Sequence, residues 1–222
     1  MYQEQGFVIQ VSEYIVSDAI ISILTKDGIK SFFGRGYLKQ DDEHNKLLNK
    51  GLFIKFNAKE EYGYYVLETY EIDKDKSLKQ LNKETYTTFI DIIKVILLSS
   101  YEVDQTTFNL FEYTVKNINT YTNELLKDIW KVYFLKKHNV ILNLDCCIKC
   151  QSKENLKTLS IKDGGLLCSS CYQEEQLISL QTIKIIKSLY QSKINKELNN
   201  THTKEVSLVL SELLFDTVGI KI

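Results

Sequence analysis

Cys147-Ile148-Lys149-Cys150 and Cys168-Ser169-Ser170-Cys171 are two Cys-x2-Cys pairs separated by 17 residues. A two-residue spacer lets both thiolates of one turn reach a single ion. Two such turns complete a tetrahedron of four sulfurs at about 2.3 Å from zinc. Gly164-Gly165, just before the second pair, suits the tight turn of a ribbon. An iron–sulfur cluster also takes four thiolates, but the two-plus-two ribbon favours zinc. Buried structural cysteines are the plainer alternative. Clustering argues against it, because all five cysteines of the chain lie between Asp145 and Cys171. The fifth, Cys146, competes with Cys147 for the first position, and Cys147 gives the spacing that matches the second pair. A closed four-cysteine site has no open coordination position and reads as structural rather than catalytic. It would tie down a loop of about 25 residues with little apolar content of its own.

No other stretch carries recognisable catalytic chemistry. Phosphate-cradling glycine loops and a Gly-x-Ser-x-Gly elbow are absent from the sequence. His44, His138 and His202 are scattered in polar contexts and read as surface residues. The cationic stretches are more suggestive. "GRGYLK" places the chain's one arginine, Arg35, between two glycines, with Tyr37 and Lys39 behind it. Glycines allow close backbone approach, and a cation beside an aromatic ring suits a phosphate-and-base contact. "WKVYFLKKH" sets Lys131, Lys136 and Lys137 on a helix with Trp130 and Tyr133.

The elements that must position these residues change period along the chain. Phe7, Ile9 and Val11 alternate with Val8, Gln10 and Ser12, the two-residue period of a strand. "AIISILT", "IKSFFGRG", "LFIKF" and "YYVLETYEI" add four more strands, with a hairpin turn at Asp27-Gly28. Five short strands are the count of a small OB-type barrel. From Leu81 the apolar residues recur at helical spacing. Phe89, Ile92, Ile93 and Ile96 mark one helix and Phe108, Phe111 and Val115 a second. "NELLKDIWKVYFLKKH" is apolar on most faces and reads as a central third helix. Ile183, Ile186 and Leu189, then Val206, Leu210 and Leu213, mark two helices after the cysteines.

The bulk numbers exclude several classes. At 44% hydrophobic and 26% charged, the chain is neither disordered nor membrane-like. No apolar run approaches 18 residues, and the N-terminus lacks the pattern of a secretory signal, so a cytoplasmic, reducing setting is expected. Net charge is −1, so nucleic-acid binding must rest on a local patch rather than on bulk charge. Proline is absent, and with a single arginine, phosphate contacts fall to lysine point charges.

Taken together, these stretches resemble the RecO family of recombination mediators. "GFVIQVSEYIVSDAIISILTKDGIKSFFGRGYLK" is similar to that family's N-terminal OB domain, and "LNLDCCIKC…GGLLCSSC" to its zinc ribbon. The resemblance implies an α+β fold. A five-stranded OB barrel at 1–78 precedes a helical domain at 79–222 that carries a four-cysteine zinc ribbon at 145–172. It also implies a non-enzymatic DNA repair protein, nucleoid-associated in the cytoplasm. Members bind single- and double-stranded DNA, promote strand annealing, contact the single-stranded-DNA-binding protein, and with RecR help load RecA. On this reading Cys147, Cys150, Cys168 and Cys171 hold one structural zinc. Arg35, Lys30, Lys39, Lys136 and Lys137 are the candidate DNA-backbone contacts. One departure matters: the loop after Arg35-Gly36, basic in the family, is here the acidic "QDDEHNK". Fewer cations there predict few phosphate contacts, a shallow salt dependence and a shift of DNA contacts toward Lys131, Lys136 and Lys137. The acidic loop also favours the rival expectation, an adaptor that binds proteins only.

Overall fold

A computed structural model describes residues 2–38, 49–99, 102–174 and 176–219. Lys39, His44 and the acidic loop Asp41–Glu43 lie outside the described residues. Five strands open the fold: β1 (Tyr2–Tyr14), β2 (Asp18–Thr25), β3 (Gly28–Gly34), β4 (Phe53–Glu61) and β5 (Tyr64–Asp73). They close into a barrel in the order β1-β2-β3-β5-β4. β1 serves two neighbours: Tyr2 to Phe7 pair with β4, and Phe7 to Tyr14 pair with β2. A register shift between Val8 and Gln10 marks the changeover, since a bulge bends a strand and raises its twist. At Gly6 a Cβ would come 2.4 Å from the Leu24 carbonyl oxygen, so only glycine lets β1 and β2 approach there.

The turns follow from sequence chemistry. Lys26 and Asp27 form a two-residue loop between paired Thr25 and Gly28. The Thr25 hydroxyl donates to the Gly28 carbonyl at 3.0 Å and accepts from the Asp27 N–H at 3.3 Å. β4 is longer than its apolar core "LFIKF" indicates. Asn57 to Glu61 continue pairing with β5 through a bulge, leaving only Tyr62-Gly63 as the turn. Both turn residues have positive φ (51° and 85°), the geometry that matches hairpin twist. Inside, Val8, Ile21, Ile23, Phe32, Ile54 and Phe56 anchor a ten-residue buried core, each large side chain contributing roughly 1.5–3 kcal/mol.

The helices are α1 (Lys83–Leu98), α2 (Gln105–Asn117), α3 (Asn123–Lys137), α4 (Leu180–Tyr190), α5 (Lys196–Thr201) and α6 (Lys204–Val218). Between α3 and α4 lies a three-stranded sheet of order β6-β8-β7, from β6 (Asn143–Cys147), β7 (Leu156–Ser160) and β8 (Gly165–Cys168). The chain divides into two compact units: Met1–Tyr86 with Ile96–Asn119, and Thr87–Val95 with Thr120–Ile222. In the first, α2 starts on an Asp104 capping box, and Phe108 and Phe111 pack on Phe7 at ring distances of 5.8 and 5.2 Å. In the second, α3 packs mainly on α6. As its pattern predicts, α3 is central, with Leu125, Ile129, Trp130, Phe134 and Leu135 buried.

Two side chains in this unit depart from the sequence reading. Lys131 is not a surface cation: it is 4% exposed and pairs with the fully buried Asp128 at 2.7 Å. His202 is not a surface residue either, for its Nε2 lies 2.8 Å from the other Asp128 oxygen, which also accepts from the Ser207 hydroxyl at 2.7 Å. A carboxylate sealed in a core requires such partners. They come from α3, α6 and the segment before α6, so the requirement is invisible in any single stretch of sequence.

Candidate metal centre

The two Cys-x2-Cys pairs leave the ends of neighbouring strands. Cys147 ends β6 and Cys168 ends β8. In the first turn the Gln151 N–H donates to the Cys147 carbonyl at 2.8 Å, and the Cys147 N–H donates to the Ser152 carbonyl at 2.8 Å. Gln151 sits at φ +61°, closing the turn. In the second, the Cys171 and Tyr172 N–H groups donate to the Cys168 carbonyl at 3.1 and 3.0 Å. The turns are held side by side by the Ile148 N–H on the Leu166 carbonyl at 2.7 Å and the Ser169 N–H on the Asn155 carbonyl at 2.9 Å. Gly164 supplies a positive φ of 69°. At Gly165 a Cβ would meet Ile148 Cδ1 at 2.9 Å, so the glycine pair permits the ribbon to fold onto the first turn.

As a result the Sγ atoms of Cys147, Cys150, Cys168 and Cys171 all lie within 4.8 Å of one another. Cys150 and Cys168 are 3.6 Å apart. Sulfurs at the corners of a tetrahedron around zinc are about 3.8 Å apart. The four thiols are therefore positioned to bind one metal ion, and Cys146 is not in the group. Its Sγ faces Gln151 Oε1 at 3.1 Å and Asn143 at 3.5 Å.

The protonation of the four is shared unevenly. Burial pushes the Cys147 thiol up, but donation from the Cys168, Cys150 and Lys149 N–H groups outweighs it and brings the value down to about 6. Cys168 is lowered in the same way, its burial outweighed first by the Cys171 N–H. Cys171 is pushed up to about 12, chiefly by its contacts with the Cys150 and Cys168 sulfurs. Four sulfurs this close cannot all ionise unless a cation sits among them, and backbone donors already favour thiolate at two of them.

The candidate DNA contacts are not brought together. Lys30, on β3, bonds Glu4 at 3.1 and 3.2 Å, lies 3.6 Å from Asp27 and rests over the Tyr2 ring. Arg35, just past β3, pairs with Glu61, and its side chain is 55% exposed. At the end of α3, Lys136 donates to the Tyr190 carbonyl at 3.2 Å and Lys137 to the Tyr133 hydroxyl at 3.0 Å. Beside Arg35 the barrel shows a feature absent from the sequence reading. Tyr14, Ile20, Phe33 and Tyr64 line an open apolar pocket of about 340 Å³. They come from β1, β2, β3 and β5, and only the outward register of each strand could have pointed to them.

Comparison with known proteins agrees with this architecture. Residues 79–221 match the family model described as "Recombination protein O C terminal". The DNA repair protein RecO of Lactobacillus helveticus is 24% identical over 95% of this chain and 90% of its own length. That of Bacillus subtilis is 20% identical over 90% of this chain and 81% of its own. A shorter stretch, 23% of this chain, is 41% identical to the RecO protein of Syntrophomonas wolfei. With a barrel first, helices after it and a four-cysteine ribbon set among them, the chain belongs to the RecO family of DNA repair proteins.

Proposed function

We propose that the chain is a recombination mediator without catalytic activity, acting in the cytoplasm at the nucleoid. It binds single- and double-stranded DNA, promotes annealing, and works with RecR and the single-stranded-DNA-binding protein to help RecA load. The observation that carries this reading is the family match over 79–221, joined to a barrel of OB type. The domain division follows it, with the barrel at 1–78 and the helical domain with its ribbon at 79–222. The metal is one structural zinc held by Cys147, Cys150, Cys168 and Cys171, for four thiolates suit zinc and leave no open position.

For the DNA contacts we retain Arg35, Lys30, Lys39, Lys136 and Lys137. Arg35 is the best placed of the described four, exposed and held by the Glu61 carboxylate and the Tyr64 hydroxyl. Lys30 must exchange Glu4 and Asp27 for a phosphate. The test is fluorescence anisotropy of labelled single- and double-stranded oligonucleotides across a salt series, with zinc measured on the same protein. Binding that weakens with salt is expected, with a slope of about −0.7 per phosphate contacted on single strands. Protein with one zinc per chain that binds neither strand form at low salt would favour the protein-only adaptor.

A further inference from the structure

The aromatic face of the barrel has a geometry that suits one kind of ligand. Phe33 lies between Tyr14 and Tyr64, edge-on to both, at ring distances of 5.5 and 5.8 Å. Tyr14 and Tyr64 are each almost half exposed. The outward register of their strands holds these rings at the surface as one contiguous apolar patch with Ile20. At the rim of the same face, Glu61 takes Arg35 on one oxygen and has Lys59 at 3.7 Å from the other. Two cations share one carboxylate there, and Arg35 also bonds the Tyr64 hydroxyl, which sets a guanidinium directly beside the rings.

We propose that Tyr14, Phe33 and Tyr64 form a stacking platform for the bases of single-stranded DNA, with Arg35 exchanging Glu61 for the phosphodiester beside them. The inference rests on the DNA-binding reading above and assigns the contact to specific side chains. Unpaired bases offer π-faces to such rings whatever their sequence, whereas a duplex keeps its bases stacked on one another. The Arg35 guanidinium beside the rings complements an anionic backbone. Discrimination between strand forms then comes from the rings, and Arg35 contributes its share of the salt dependence.

Tyr14→Ala, Tyr64→Ala and Tyr64→Phe are compared with the unaltered full chain for binding of oligothymidylate and of a duplex of equal length. Each alanine variant is expected to weaken single-strand binding roughly 5- to 100-fold. Duplex binding should change less than about twofold, with the salt slope intact, because Arg35 keeps its Glu61 pair when the Tyr64 hydroxyl is lost. Tyr64→Phe keeps the ring and should bind like the unaltered chain. Equal losses on both strand forms would overturn the platform, as would a Tyr64→Phe loss as large as that of Tyr64→Ala, which would assign the effect to the hydroxyl. An unaltered chain that binds single strands while the alanine variants match it overturns the platform alone. An unaltered chain that binds neither form overturns the platform and the DNA-binding reading together.

Discussion

The barrel and the ribbon solve the same problem with different means. The barrel buries ten residues in one cluster, among them Ile21, Ile23, Phe32, Ile54 and Phe56, drawn from all five strands and the turn after β3. The ribbon cluster buries three, and two of them are Cys147 and Cys168. Only Leu167 is an ordinary apolar side chain fully inside it, flanked by half-buried Ile148 and Leu156. That cluster alone cannot offset the ordering of the loops around it, at roughly 1–2 kcal/mol per residue for backbone alone, although Leu159 and Leu166 of the same sheet are buried as well. The barrel is stabilised by apolar area removed from water. The ribbon's four thiols are positioned to bind one metal ion, and metal–sulfur bonds would supply what its own cluster lacks.

The sharpest way to break that contrast is to remove one sulfur. Structural zinc contributes about 10–16 kcal/mol in small isolated domains, far more than a few buried leucines. Cys168→Ser should therefore release the metal and open the segment between the two cysteine turns to protease, while the barrel keeps its fold. Zinc stoichiometry and limited proteolysis read this directly, and a metal-bound, protected variant would show that the ribbon stands without the fourth thiolate. The converse experiment is Phe56→Ala. Phe56 is 1% exposed and meets Phe32 edge-on at 4.8 Å, so its removal should cost about 3–5 kcal/mol in denaturant unfolding. Zinc content should stay at one per chain. Loss of zinc along with barrel stability would mean the two regions fold as one.

What the sequence made legible divides along the same line. The barrel was readable because period-2 alternation is a local signal, with the turn falling one residue earlier than expected, at Lys26-Asp27, and the four-thiol cluster because Cys-x2-Cys spacing is local too. The end of β4 was not, since Asn57 to Glu61 lack the apolar pattern and are held as strand by pairing with β5. Lys131 and His202 were misread because burial of a charge depends on Asp128 finding partners 74 to 79 residues away. The aromatic face escaped for a similar reason: its members are adjacent only once four strands are in register.

Two smaller effects sharpen the picture of the ribbon. Thr158 on β7 is fully buried. Its hydroxyl donates to the Gln176 carbonyl at 3.1 Å and accepts from the Ile178 N–H at 2.9 Å, tying the ribbon to the approach to α4. Thr158→Val keeps the shape and leaves a buried N–H unsatisfied, which should lower stability by about 1–3 kcal/mol without releasing metal. Thermal denaturation with parallel zinc measurement separates the two readouts. If metal is lost as well, this strap takes part in aiming the thiolates.

The smallest effect is expected at Cys146. It is the neighbour of a thiol in the four-cysteine group and chemically equivalent to it, so sequence alone leaves the two in competition. Strand alternation separates them: Cys147 is buried in the ribbon cluster, while Cys146 is half-buried and faces Gln151 and Asn143. Cys146→Ser preserves a polar side chain at that position and should change stability by no more than about 0.5 kcal/mol, with full zinc occupancy. Cys147→Ser, one residue on, should behave like Cys168→Ser. Were both single variants to keep zinc while the double variant lost it, the first position would be shared between the two sulfurs, and the local order of β6 would be weaker than its pairing with β8 implies.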